Sequence, residues 1–304
     1  MGSMTFDDIY SSTELVAAAS EFLLGQIVAN PNDQSYAQGC PSLYVAQGEI
    51  AYSFAANPLV LTTDDATTCC IIVLQSKDCF CLAHVDSRKQ AAYVFTHWHS
   101  ITQGVDTFVI VVGGYEDERN IGNDILQSIL HSINTSTTKF TIKLWVAGPL
   151  NTIPGTSPVE PKVRGLVAVP LPTKSGFLRL APIDFALGAY RGPNFERRAN
   201  CLPSKPLLVL KDNVELVCTV GPYAKIWVDL KPVRLKVFLA KMQNWTDEEL
   251  LSVSTSPSVE GPKFVPDMRD RIVWLSTKYN ESDLLTVESY RWNAQSQEWE
   301  LIMQ

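Results

Sequence analysis

Cys69 and His84 are the residues of this chain whose types and spacing fit nucleophilic chemistry. Hydrolysing an amide through a covalent intermediate needs a strong nucleophile, a base to activate it, and donors that stabilise the oxyanion. The chain has four histidines. Cys69 stands where the turn 64–68 enters a β-rich run and His84 near the end of the next run, so an antiparallel hairpin would bring them close. An imidazole beside a thiol lowers its pKa, and turn amides at a strand entrance can face an oxyanion. The same pairing also arises by chance, because free cysteine is among the most buried residue types. The adjacent Cys70 belongs to the opposite strand face and reads as core filling. Asp64 and Asp65 read as solvated turn residues; Thr63 reads either as a hydroxyl orienting the histidine or as a plain turn hydroxyl.

Other constellations compete less well. Cys79-Phe80-Cys81 with His84, completed by His97 or His99, would make a metal cluster, but no CxxC repeats and the spacing matches no common zinc module. His97 and His99 lie two apart on an expected helix and diverge, which suits packing or surface roles. Gly113 and Gly114 close an apolar strand before a helix as a phosphate loop would, yet no GxGxxG or P-loop surrounds them. A tight turn accounts for them.

The elements that must position these residues follow from periodicity. Residues 13–24 form an amphipathic helix and 43–54 a strand; 69–74 and 80–84 form a hairpin about 75–78. Helical pattern returns at 89–102 and 120–133, with strands at 108–112 and 140–146, the alternation of β-α-β units. Residues 151–161, rich in Pro, Thr and Ser, read as a long exposed loop between halves. Beyond it come short strands at 166–171, 177–180, 207–210, 215–220, 226–230 and 234–239. Helices at 247–251 and 266–276 precede a hairpin of 285–292 with 299–303. The expected organisation is one composite domain over 4–304, with halves 4–150, catalytic, and 162–304, β-rich. Met1-Gly2-Ser3-Met4 reads as an expression scar, with Met4 as the native start.

Composition sets the outer bounds. At 304 residues with 46% hydrophobic and 19% charged residues, the chain is globular and large enough for a sizeable core. A net charge of −7 without runs of like charge leaves no basic footprint for nucleic acid. No apolar run nears the ~20 residues a membrane helix needs. An odd count of 7 cysteines points to free thiols in a reducing compartment. A soluble cytoplasmic protein, with the nucleus as a further location, is the expectation.

In chain order stand Leu43-Tyr44-Val45, Asp64-Asp65-Ala66-Thr67-Thr68-Cys69, Cys81-Leu82-Ala83-His84, Val112-Gly113-Gly114, Arg191-Gly192-Pro193, Gly221-Pro222-Tyr223, and Ser254-Thr255-Ser256-Pro257 leading to Phe264-Val265. This series resembles the eukaryotic protein N-terminal asparagine amidohydrolase family across most of the chain. The Asp-Asp-Ala-Thr-Thr-Cys and Ser-Thr-Ser-Pro blocks are its specific parts. Cys70, Val85 and Ser87 depart from the vertebrate pattern, and residues 194–213 match poorly.

The resemblance implies an α+β fold, a β-sandwich-like core flanked by helices, similar to cytotoxic necrotizing factor and the chemotaxis receptor deamidase. It implies conversion of N-terminal asparagine to aspartate with release of ammonia, upstream of arginylation in the N-degron pathway, with no cofactor or metal. Carried over by position, Cys69 is the nucleophile, His84 the base, and Thr63, six residues before the cysteine, the hydroxyl that orients the base. The implied partners are proteins or peptides with a free N-terminal Asn; no nucleic acid or membrane partner is expected, and the enzyme is expected to be a monomer. Such a substrate brings a cationic α-amine that needs an acceptor; Asp65 is the first candidate and Asp64 the second. Ser254 and Ser256 stand either at the substrate amide or simply at a helix end before Pro257. Two other readings stay open: a module that binds N-terminal residues without turnover, and a glutamine deamidase acting on internal side chains.

Overall fold

The computed structural model describes residues 3–25, 27–29, 41–171, 178–185, 208–210, 217–220, 232–277, 288–296 and 298–302. The strand expected at 226–230 and the blocks at 191–193 and 221–223 lie outside them. The chain forms two compact units, one of residues 1–189 with 203–210 and one of residues 190–202 with 211–304. It is a mixed α+β protein with several sheets.

In the first unit, α1 (Phe6–Ser11) starts at a capping box on Thr5, and α2 (Thr13–Leu24) follows with Ser12 capping the Leu15 amide. A five-stranded sheet has the order β1-β12-β11-β4-β2, from β1 (Ile27–Ala29), β2 (Ser42–Tyr44), β4 (Val60–Thr63), β11 (Leu166–Pro170) and β12 (Leu178–Phe185). A six-stranded sheet has the order β13-β3-β6-β5-β7-β8. Its strands are β3 (Glu49–Phe54), β5 (Cys70–Gln75), β6 (Cys79–Val85), β7 (Thr107–Gly113), β8 (Phe140–Val146) and β13 (Leu208–Leu210).

Helices α3 (Arg88–Thr102) and α4 (Ile121–Thr135) bury residues at three- and four-residue spacing: Ala91, Val94, Phe95 and Trp98 on one, Ile125, Leu126, Ile129 and Ile133 on the other. They share one core with Cys70, Ile72, Leu74, Cys81, Ala83 and Val85 from one face of the six-stranded sheet. Each fully buried aliphatic side chain there contributes about 1.5–3 kcal/mol. The residues of alternate parity, Ile71, Val73, Leu82 and His84, are buried as well. On that side β4 of the other sheet touches β3 and β6, so the layers run helices, six-stranded sheet, five-stranded sheet.

Two sequence expectations are corrected in kind. The single strand over 43–54 is β2 and β3, in different sheets. Gly48 at φ +81° turns the chain between them, and the buried Glu49 carboxylate accepts the Ala46 amide at 2.8 Å; the Gln47-Gly48-Glu49 interruption of the apolar run was the available sign of this break. The strand expected at 234–239 is helix α5 (Pro232–Met242). Alternation of Leu235, Val237 and Leu239 imitates strand period, but burial falls on Leu239 and Met242, three apart, while Val237 is exposed. The segment 151–161 is also less free than its composition implies. Asn151 is fully buried; its amide nitrogen donates to Gly114 O and Val163 O and its oxygen accepts the Val163 amide at 2.9 Å, ahead of the short hairpin β9 (Thr152–Ile153) and β10 (Glu160–Pro161).

In the second unit α5 and α6 (Asp247–Leu251) each pack on α7 (Phe264–Thr277) around Leu239, Met242, Leu250 and Ile272. A three-stranded sheet orders β14 (Val217–Val220), β15 (Glu288–Asn293) and β16 (Glu298–Leu301).

Candidate active site

The register of the β5–β6 hairpin sets the geometry around Cys69. Cys70 pairs with Val85 and Ile71 with His84. Side chains alternate along a strand, so Ile71 and His84 share the face toward the five-stranded sheet, and the same alternation carried one residue before β5 assigns Cys69 to that face. Cys70 and Val85 take the helix side, inside the apolar core. Burial pushes the Cys70 thiol well above its ordinary range, which keeps it protonated. Cys69 is 7% exposed whereas Cys70 is not exposed at all. Of two adjacent thiols, the fold leaves Cys69 on the side of the imidazole.

Thr63 ends β4, in the other sheet, and its Oγ1 lies 2.8 Å from His84 Nδ1, both groups buried. This contact crosses between sheets and engages Nδ1 of the ring rather than Nε2. β11 pairs with β4 at Leu166 and Thr63. The preceding Gly165 permits that approach, since a Cβ there would overlap Ile183 O and stand 2.9 Å from Thr63 O. The His84 carbonyl is fixed too, accepting the Gly48 amide at 2.8 Å.

The turn before Cys69 is held at both ends. Asp64 is 1% exposed and its Oδ1 accepts the Tyr44 hydroxyl at 2.6 Å. It is therefore buried, where a solvated turn residue was expected. Asp65 adopts φ +57° and is half-buried. The Ala66 amide donates to Arg164 O at 2.8 Å, and the Cys69 carbonyl accepts the Gly114 amide at 2.7 Å. Gly113 at φ +93° and Gly114 at φ +64° form the tight turn expected there; a Cβ on Gly113 would stand 2.7 Å from Cys69 O.

The remaining candidates separate. Cys81 points into the helix-side core while His84 takes the opposite face, so the pair does not converge on a metal. His97 Nδ1 bonds the Tyr52 hydroxyl at 2.6 Å and His99 Nδ1 the Thr138 hydroxyl at 2.9 Å. Among the described residues no three His, Cys, Asp or Glu side chains could together hold a metal ion. Ser254 and Ser256 belong to the second unit, where both hydroxyls donate to Glu260 Oε1 and the Ser254 Oγ accepts the Ser256 amide.

Sequence reasoning passed over two residues at this site. The Tyr44–Asp64 bond depends on the parallel pairing of β2 with β4, which no local pattern reveals. Asp86 follows His84 by two and so shares its strand parity; that spacing was the available signal. No described helix is long and apolar enough to cross a membrane.

The sequence is similar to known proteins over most of its length. The chain is 28% identical over 244 residues, 77% of its length and 74% of the relative's, to protein N-terminal asparagine amidohydrolase of Sus scrofa. It is 27% identical over 245 residues to that of Homo sapiens, with the same coverage. Against that of Mus musculus it is 26% identical over 282 residues, 87% of this chain and 84% of the other. The family model described as Protein N-terminal asparagine amidohydrolase matches residues 31–301, nearly the whole chain, and the protein belongs to that family.

Proposed function

We propose that this protein hydrolyses the side-chain amide of asparagine at the free N-terminus of proteins, through a thiolate at Cys69. The observation that carries this reading is the face shared by Cys69 and His84, with Thr63 seated on the far nitrogen of the imidazole. With Thr63 Oγ1 accepting from Nδ1–H, His84 Nε2 is the basic nitrogen and takes the Cys69 proton. The thiolate attacks the carboxamide carbon. Collapse of the tetrahedral intermediate breaks the C–N bond, His84 returns the proton to the leaving nitrogen, and ammonia departs. Water activated by the same imidazole then cleaves the thioester, yielding aspartate and the free thiol.

Asp65 is the acceptor proposed for the substrate α-amine. Its half-exposed position suits a ligand better than that of Asp64, which is buried on the Tyr44 hydroxyl. The candidacy of Ser254 and Ser256 as substrate-binding residues rests on the family resemblance alone. The helix–sheet–sheet layering supports the likeness to cytotoxic necrotizing factor and the chemotaxis receptor deamidase. Aspartate exposed at a protein N-terminus is the product an arginylating step would consume; a role in the N-degron pathway, in the cytoplasm, is part of this proposal. The test is ammonia release from a peptide beginning with Asn. Cys69→Ser should abolish it and Cys70→Ser should retain most of it; the reverse pattern would overturn the assignment.

A further inference from the structure

Asp86 is a carboxylate the reaction as described does not use. It follows His84 by two residues, on the strand parity that faces the five-stranded sheet. The β5–β6 ladder ends at the pair Cys70 and Val85, so Cys69 and Asp86 are the residues that flank its last rung. Its Oδ2 accepts the Gln47 side-chain amide at 3.0 Å and its own amide donates to Gln90 Oε1 at 2.8 Å. These partners are neutral. Among the described residues no lysine, arginine or histidine forms an ion pair with it. Burial raises its carboxyl above the usual range although it stands one residue before the N-cap of α3, where the helix dipole alone would favour the anion. A half-buried carboxylate with neutral donors and no cation, at the end of the strand pair that the nucleophile precedes, is a suitable acceptor for a positive charge from outside.

We propose that Asp86 is a further acceptor for the substrate's α-ammonium, sharing it with Asp65, and so sets the preference for a free N-terminus. A primary ammonium has three N–H donors and readily spans two carboxylates, whereas a lone carboxylate would leave it freer to rotate. Fixing the amine at two points also fixes the distance from it to the carboxamide carbon. This inference rests on the proposed deamidation at Cys69.

The test compares two peptides that differ only at the first residue, one beginning with Asn and one in which the α-amine of that Asn is replaced by a hydroxyl. Ammonia release gives kcat/KM for each, and their ratio within one protein sample does not depend on the folded fraction. The wild type should prefer the amine strongly. Asp86→Asn, which keeps the shape and an acceptor for Gln47, should narrow that preference by about 10-fold or more, mainly through KM, and Asp86→Glu should restore part of it. An unchanged ratio in Asp86→Asn beside an active wild type overturns the role of Asp86 and leaves the deamidase reading standing. A wild type that releases no ammonia from the Asn peptide overturns both.

Discussion

Replacing Thr63 with valine removes one hydroxyl and almost no volume, so it isolates the bond that joins the two sheets at His84. The imidazole is 2% exposed, so water cannot take the place of the lost Oγ1. A buried ring nitrogen then lacks its partner, at a cost of about 1.5–3 kcal/mol. If that bond holds the ring in the tautomer and orientation that present Nε2 to the thiol, the same energy appears in the barrier, a loss of roughly 10- to 150-fold in kcat. KM should change little, because Thr63 acts through His84 and not on the peptide. Thr63→Ser, which restores a hydroxyl, should recover most of the rate. The assay is the initial rate of ammonia release against peptide concentration for the three proteins, beside their melting curves. A Thr63→Val enzyme whose kcat stays within about twofold of wild type while its melting temperature falls would make the bond purely structural and refute the reasoning.

His84→Ala should lose rate while binding the Asn peptide with near-normal affinity, measured by titration of the inactive protein; full activity at neutral pH would remove the imidazole from the mechanism. Gly113→Ala forces a side chain into φ +93° and against Cys69 O at 2.7 Å, so it should destabilise by roughly 1–3 kcal/mol and lower kcat through displacement of Cys69. Melting curves and rates check it together. Asp86 also gives a pH prediction. Its carboxyl is raised in the folded state, so the unfolded chain releases the proton first, and the stability this group lends is full below its unfolded value and lost as pH rises through the folded value. Asp86→Asn should therefore gain melting temperature relative to wild type on going from about pH 4 to 7, and a difference that shrinks over that range would contradict the burial of the carboxylate.

Local structure was the legible part of this chain. The helix at 13–24, the hairpin carrying Cys69 and His84, and the β-α-β alternation from 107 to 146 all rest on contacts close in sequence, which periodicity reports directly. The separate faces of Cys69 and Cys70 follow from strand alternation alone. What stayed hidden is long-range or depends on one turn. Gly48 splits the run 43–54 between two sheets; the Gln47-Gly48-Glu49 step marks a turn there but not that its flanks join different sheets. The 2.8 Å contact of Thr63 with His84 joins two sheets across 21 residues of sequence, and a hydroxyl in a turn has many other uses; only the family resemblance singled it out. Asp64 read as solvated because Asp favours turns, yet the parallel pairing of β2 with β4 brings Tyr44 over it. At 234–239 strand-like alternation outweighed the three-residue spacing of Leu239 and Met242 that the helix buries.

The central claim is that one carboxamide carbon is presented to Cys69 while the α-amine is held at fixed carboxylates, which makes chain length and free charge the two tests of a substrate. Glutamine is one methylene longer, and misplacing the reacting carbon by ~1 Å costs ~100-fold in rate. Acetylation removes the charge that these half-buried carboxylates would bind, a penalty of roughly 1–3 kcal/mol before any clash of the added group. Ammonia release by the wild type from matched peptides beginning with Asn, Gln and acetyl-Asn measures both at once. The account predicts rapid release from the first, release slower by about two orders of magnitude from the second, and none from the third; comparable rates on all three would contradict it.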